Sequence, residues 1–149
     1  MAQKNLITDV AGVLVGNADD ARLASGVSAI IFAQPAVAAV DVRGGAPATR
    51  DTDLLEPHRT VERIDAVVLS GGSVFGLEAG AGVQAFLRER GRGFEIGGIR
   101  VPLVCGASMF DLLDQPPVGE PELSEPPQIS AAEAHAIDGV IEGKLRPEA

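Results

Sequence analysis

The chain has 149 residues, about one domain by length, with 46% hydrophobic, 22% charged and 3% aromatic residues, a composition that excludes wholesale disorder. Its 21 acids against 12 bases give a net charge of −9, which repels phosphate backbones and, with basic runs absent, argues against nucleic acid as a partner. No apolar run is long enough to span a bilayer and no signal-peptide pattern opens the chain, so neither membrane nor secretion is indicated and the expected location is cytoplasmic.

In chain order, short β-branched runs alternate with glycine-rich turns up to about residue 113, the pattern of a mixed α/β domain. Strands are predicted at Gly12 to Val15, Val27 to Phe32, Val37 to Val42, Ala66 to Leu69 and Val101 to Val104. One helix is predicted from Val74 to Arg90, where Phe75, Ala79, Val83, Phe86 and Leu87 recur at spacings of three and four opposite Glu78, Arg88 and Glu89. Gly80 and Gly82 interrupt that helix at about 1 kcal/mol each relative to alanine, which predicts a neighbour packed too closely for a side chain. Gly91 follows Arg88 and Arg90 where the helix should stop.

The composition changes at residue 114. From Asp114 to Ala149 there are eight acids and two bases, −6 of the total −9, and six of the ten prolines. Residues 114–129 read as an extended Pro-rich acidic linker, because proline lacks an amide donor and restricts its neighbour. Residues 130–149 read as a short helix and tail, with Ser130 and Glu133 at capping-box spacing. No repeat is evident.

Chemistry concentrates at the glycine turns. Ile64 to Gly76 delivers a buried strand through Ser70-Gly71-Gly72-Ser73 into the helix, which places backbone amides and a positive dipole end where an anion or oxyanion could bind. The turn fits neither a dinucleotide fingerprint nor a Walker loop. It puts Ser73 where a nucleophile elbow would have its serine but lacks that motif's final glycine, and helix capping by Ser70 or Ser73 is the preferred account. In the second turn, Asp41 to Leu55, Arg43 and Arg50 stand among Asp41, Asp51 and Asp53. Either these ion pairs pin the loop, or an arginine orients a substrate carboxylate. His58 and His135 lack the neighbours of a catalytic or metal site and read as surface histidines. Cys105, the single cysteine, reads as a small buried hydrophobe. No metal site and no cofactor is expected.

Four segments in this order resemble the N-terminal half of the DmpA-type aminopeptidases, the family of L-aminopeptidase D-amidase/esterase, β-peptidyl aminopeptidases and nylon-oligomer hydrolase. They are Leu6 to Gly16, Asp41 to Leu55, Leu69 to Val83 and Val101 to Leu112, so the resemblance covers roughly residues 6–113. It implies the N-terminal part of a four-layer αββα sandwich within 1–113, an N-terminal-nucleophile hydrolase whose Ser or Thr becomes a new chain terminus, and homo-oligomers. That terminus supplies its own α-amino base, which accounts for the lack of a usable histidine. The resemblance also puts Ser70, Gly71, Gly72, Ser73 and Phe110 in the cleft wall. Some members carry a tyrosine at the position of Phe110, whose hydroxyl phenylalanine cannot replace.

The family's later glycine-rich segment, its asparagine and lysine, and its nucleophile have no counterpart between Asp114 and Ala149. The chain alone is therefore expected to be inactive by that mechanism. Three accounts stand side by side: a truncated gene, one chain of a split enzyme acting on amino-terminal peptides, amides or esters, or an inactive descendant used for binding or assembly. A weaker reading makes Ser73 a serine-hydrolase nucleophile. A half-sandwich would expose an apolar sheet face, which predicts a second segment or self-association.

Overall fold

A computed structural model describes residues 5–21 and 23–113. The expected linker, the capping box and helix after residue 130, and His135 lie outside the described residues.

The protein is mixed α+β. Its main sheet contains β1 (Val13–Asp20), β2 (Ser25–Ala36), β4 (Ile64–Ser70), β7 (Val104–Ser108) and β3 (Ala48–Arg50), side by side in that order. β1 and β2 form an antiparallel hairpin, from Val13 opposite Phe32 to Asp20 opposite Ser25. β2 continues antiparallel against β4 with Val27 opposite Ser70, and a bulge shifts the register between Ile31 and Ala36. β4 and β7 are parallel, Ala66 beside Val104 and Ser70 beside Ser108. Parallel neighbours need a crossover. Here it consists of a 3-10 segment (Ser73–Glu78), helix α1 (Ala79–Glu89) and a two-stranded ribbon of β5 (Phe94–Ile96) and β6 (Ile99–Val101).

α1 covers one face of the sheet. Ala79, Val83, Phe86 and Leu87 pack on Val27, Ala29, Ile31, Ala66, Val68 and Val104, and Leu14 and Ala18 extend this core onto β1. Complete burial of Leu87 and near-complete burial of Ile31 place the apolar driving force at this contact, about 1.5 to 3 kcal/mol per large side chain. The opposite face is less covered: Leu69 is 49% exposed.

The helix ends as its sequence requires. Gly91 has φ +65°, its amide donates to the Arg88 carbonyl, and the Arg92 amide reaches back to the Leu87 carbonyl, a Schellman arrangement. The neighbour predicted beside Gly80 is Arg50: a Cβ at Gly80 would lie 2.6 Å from Arg50 Cδ.

Three expectations change. Residues 37–42 form no strand, and Val37, Val40 and Val42 are exposed. Among the described residues no strand lies beside them to pair with, and β-branched propensity alone does not make a strand. The helix predicted from Val74 begins five residues later as α-helix, preceded by the 3-10 segment, so Phe75 turns outward at 47% exposure. Finally, Val101 to Val104 is split between β6 and β7 by the buried, donorless Pro102.

Candidate active-site groove

The strand β4 leaves the sheet at Ser70 and turns sharply, with φ +81° at Gly72 and +55° at Ser73. For serine that is a strained conformation, held only where the surroundings over-determine it. Several contacts do so. The Gly71 amide donates to the Gly26 carbonyl at 2.9 Å, the Ser73 amide to the Met109 carbonyl at 2.9 Å, and the Met109 amide to the Ser70 carbonyl at 2.9 Å. Ser70 Oγ donates to the Gly76 carbonyl at 2.9 Å and Ser108 Oγ to the Gly71 carbonyl at 3.0 Å. Gly76 has no room for a side chain, since its Cβ would overlap the Gly71 carbonyl.

Two sequence expectations need correction here. Neither Ser70 nor Ser73 caps the 3-10 segment, because Ser70 donates to a carbonyl and the segment has no side-chain cap. The amides of Gly71, Gly72 and Ser73, expected to be available to an oxyanion, each have an acceptor within the protein. Ser73 itself is half-buried, and Ser70 and Gly71 line a groove beside the turn.

The acceptor for Gly72 is a residue that sequence reasoning missed. Asp111 Oδ1 accepts from the Gly72 amide at 2.6 Å and Oδ2 from Ser25 Oγ at 2.7 Å. Its carboxyl lies below the ordinary carboxylate value. Burial, the largest influence, pushes it up, and the bonds from Ser25, Gly72 and its own amide together outweigh burial. The only sequence signal for it is its place in Phe110-Asp111-Leu112, inside the last family-like segment.

Asp111 lines a groove of about 490 Å³ with Asp19, Asp20, Ser25, Ser70, Gly71, Leu69 and Met109. Acidic side chains and two apolar ones therefore meet beside the turn. Phe110 and Met109 are exposed at 64% and 67% next to it, and Val74 and Phe75 project from the turn itself. The groove opens at the C-terminal end of the parallel pair β4 and β7, the position where open α/β sheets take ligands.

Of the other singled-out residues, Arg43 lies away from the groove on the exposed 37–47 stretch, pairing with Asp41 through Nε at 2.7 Å. Arg50 is half-buried on the α1 side, where Nη2 donates to Gln84 Oε1 at 3.2 Å and Nε lies 3.6 Å from Asp51 Oδ2. Arg50 lines a small cavity together with Ser70, Gly76 and Gly80. Asp51 has φ +53°, and its carbonyl accepts from Cys105 Sγ at 3.3 Å. Cys105 is buried; desolvation first, and then the Asp51 charge, push its thiol up to about 11, so it is protonated and unreactive near neutrality. His58 is exposed. Among the described residues no group of three or more His, Cys, Asp or Glu could hold a metal ion, and no helix is long and apolar enough to cross a membrane.

Comparison with known proteins places these features in a wider context. The family model of peptidase family S58 matches residues 5–144, so the likeness runs past residue 113, where sequence reading ended it. An uncharacterized aminopeptidase of Mycobacterium leprae is 46% identical over 119 residues, covering 74% of this chain and 33% of that protein. One from Mycobacterium tuberculosis is 46% identical over 123 residues, covering 77% of this chain and 35% of that protein. The 6-aminohexanoate-oligomer endohydrolase of a Kocuria species is 34% identical over 109 residues, covering 73% and 28%. The chain spans about a third of the length of the curated relatives it matches.

Proposed function

The chain belongs to peptidase family S58, and on that premise we propose that it is the N-terminal portion of a DmpA-like aminopeptidase or amide hydrolase whose Ser or Thr nucleophile lies on a segment outside these residues. The observation that carries this reading is the 46% identity to proteins named as aminopeptidases, of which this chain spans about a third. In this scheme the turn from Ser70 to Ser73, the groove carboxylates and Phe110 form one wall of the cleft. The nucleophilic hydroxyl attacks the substrate carbonyl after giving its proton to the α-amino group of its own residue, and the leaving amine takes that proton as the C–N bond breaks. The acidic groove suits a substrate with a cationic amino terminus, and Leu69 and Met109 suit an apolar chain attached to it.

The partly exposed sheet face around Leu69 supports a further layer there, as the αββα arrangement requires. Homo-oligomers and a second segment are part of the same reading. To test it, this chain is co-expressed with the polypeptide matching the remaining two thirds of a mycobacterial relative, and release of p-nitroaniline from aminoacyl p-nitroanilides is measured. Activity that needs both chains, and disappears when the second chain's terminal Ser or Thr is replaced by alanine, is expected. A stable stoichiometric complex with no turnover would overturn the hydrolase reading in favour of a binding or assembly protein.

A second reading rests on the left-handed Ser73, strained as a nucleophile elbow is. Labelling of this chain by a fluorophosphonate probe, abolished by Ser73→Ala, would support it. An unlabelled folded chain would exclude it.

A further inference from the structure

Three segments far apart in sequence meet at one carboxylate: the start of β2 through Ser25, the turn after β4 through Gly72, and the strand-end segment after β7 that carries Asp111. We propose that Asp111, clasped to Ser25 and to the Gly72 amide, is a positioning residue that holds the Gly72–Ser73 turn in its left-handed form and so sets the shape of the groove. This deepens the reading of the groove as a cleft wall, and only its effect on turnover rests on that reading.

The geometry carries the inference in three ways. First, the bond to the Gly72 amide is short, 2.6 Å, as expected when an amide donates to a charged oxygen. Second, the clasp closes only because residue 71 is glycine, since a Cβ there would overlap both Asp111 Oδ2 and Ser25 Oγ. Third, the two residues it adjoins are the strained ones: Gly72 at φ +81° and Ser73 at +55°. A serine kept left-handed needs the backbone leading into it held in place. The Ser73 amide bond to the Met109 carbonyl supplies one anchor, and Asp111, two residues beyond Met109, supplies a second at the Gly72 amide just before it. The segment 109–111 thus grips the turn twice. Ser25 in turn holds the second carboxylate oxygen, which prevents Asp111 from swinging toward solvent.

The test follows amide hydrogen exchange by NMR on the whole 149-residue chain. Asp111→Ala is expected to raise exchange at Gly72 and Ser73 by roughly tenfold, the scale of one lost charge-assisted hydrogen bond, while Val68 in β4 and Ile31 in β2 keep their protection. Asp111→Asn retains an acceptor for Gly72 and should restore most of the protection, with the Gly72 amide proton moving upfield as the charge is lost. Ser25→Ala, which leaves the carboxylate in place, should show a smaller rise at the same two amides and serves if Asp111→Ala fails to fold. Unchanged exchange at Gly72 and Ser73 in the folded variants, or an equal rise at Val68 and Ile31, would overturn the clasp. In the two-chain enzyme, loosened amides with an unchanged kcat/KM would leave the clasp standing and remove the turn from the cleft, so the two readings fail separately.

Discussion

The two ends of β4 are each held by a carboxylate that accepts from a backbone amide, yet the two holds differ. At the N-terminal end Asp65 is 2% exposed, its Oδ2 accepts from the Leu103 amide at 2.9 Å, and Arg92 lies 3.8 Å from its other oxygen. Arg92 also donates to the Phe32 carbonyl, so one arginine joins β2, β4 and the end of α1. At the C-terminal end Asp111 is half-buried beside an open groove and takes its bonds from neutral donors, Ser25 and Gly72. A buried charge needs an opposite charge to be tolerated, whereas one that borders water needs only hydrogen bonds. The difference separates an end built for rigidity from an end where a carboxylate can shape a surface open to ligand.

The largest break in this comparison should come from Asp65→Ala. Removing the carboxylate leaves the Leu103 amide without its acceptor and Arg92 without its counter-charge, and about 3 kcal/mol of stability should be lost, read as a lowered urea midpoint. The double variant with Arg92→Ala should lose less than the sum of the singles. Next is Gly76→Ala at the other end, where a methyl group overlaps the Gly71 carbonyl and about 2 kcal/mol should be lost on the same measurement. Gly80→Ala sharpens the account of the helix: it should cost about 1 kcal/mol, because Arg50 must move, and become stabilising by about the same amount in an Arg50→Ala background.

A smaller effect is present near neutrality and fades in acid. The Asp111 carboxyl is lowered in the folded state, so its contribution is complete above the ordinary carboxylate pKa of about 3.9 and is lost as pH falls through the folded value. The stability gap between wild type and Asp111→Asn should therefore be full near neutrality and close in strong acid. Asp19 and Asp20 line the same groove, so the comparison is repeated in an Asp19→Asn background, which removes one neighbouring carboxylate. The smallest effect belongs to Arg43→Ala. Its pair with Asp41 is exposed on both sides, and the urea midpoint should shift by less than the equivalent of about 0.5 kcal/mol.

The parts of the fold legible in the sequence were those where pattern and burial coincide. β2 and β4 are runs of β-branched residues that the sheet buries from the α1 side, and α1 shows its apolar stripe from Ala79 onward. Gly80 announced a close neighbour, though only the fold could bring Arg50 to it across thirty residues of sequence. The Val37 to Val42 segment misled because a strand is defined by its partner, which local sequence does not contain. β3 and the β5–β6 ribbon are three residues each and carry too little pattern to register. At the groove, the glycines and serines of the turn were visible, but the acceptors that occupy their amides come from Gly26, Met109 and Asp111. Those are long-range bonds, and no motif spacing encodes them.

Among the described residues β1 has a sheet neighbour on one side only, and its last residues are Asn17, Ala18, Asp19 and Asp20. An open strand edge is a template on which another chain can pair, and charged side chains along it discourage that pairing. The protection is uneven. Val13, Leu14 and Val15 at the other end of the strand carry no charge, so any strand added to this sheet from outside has its least obstructed start beside Val13, at the end of β1 away from the groove.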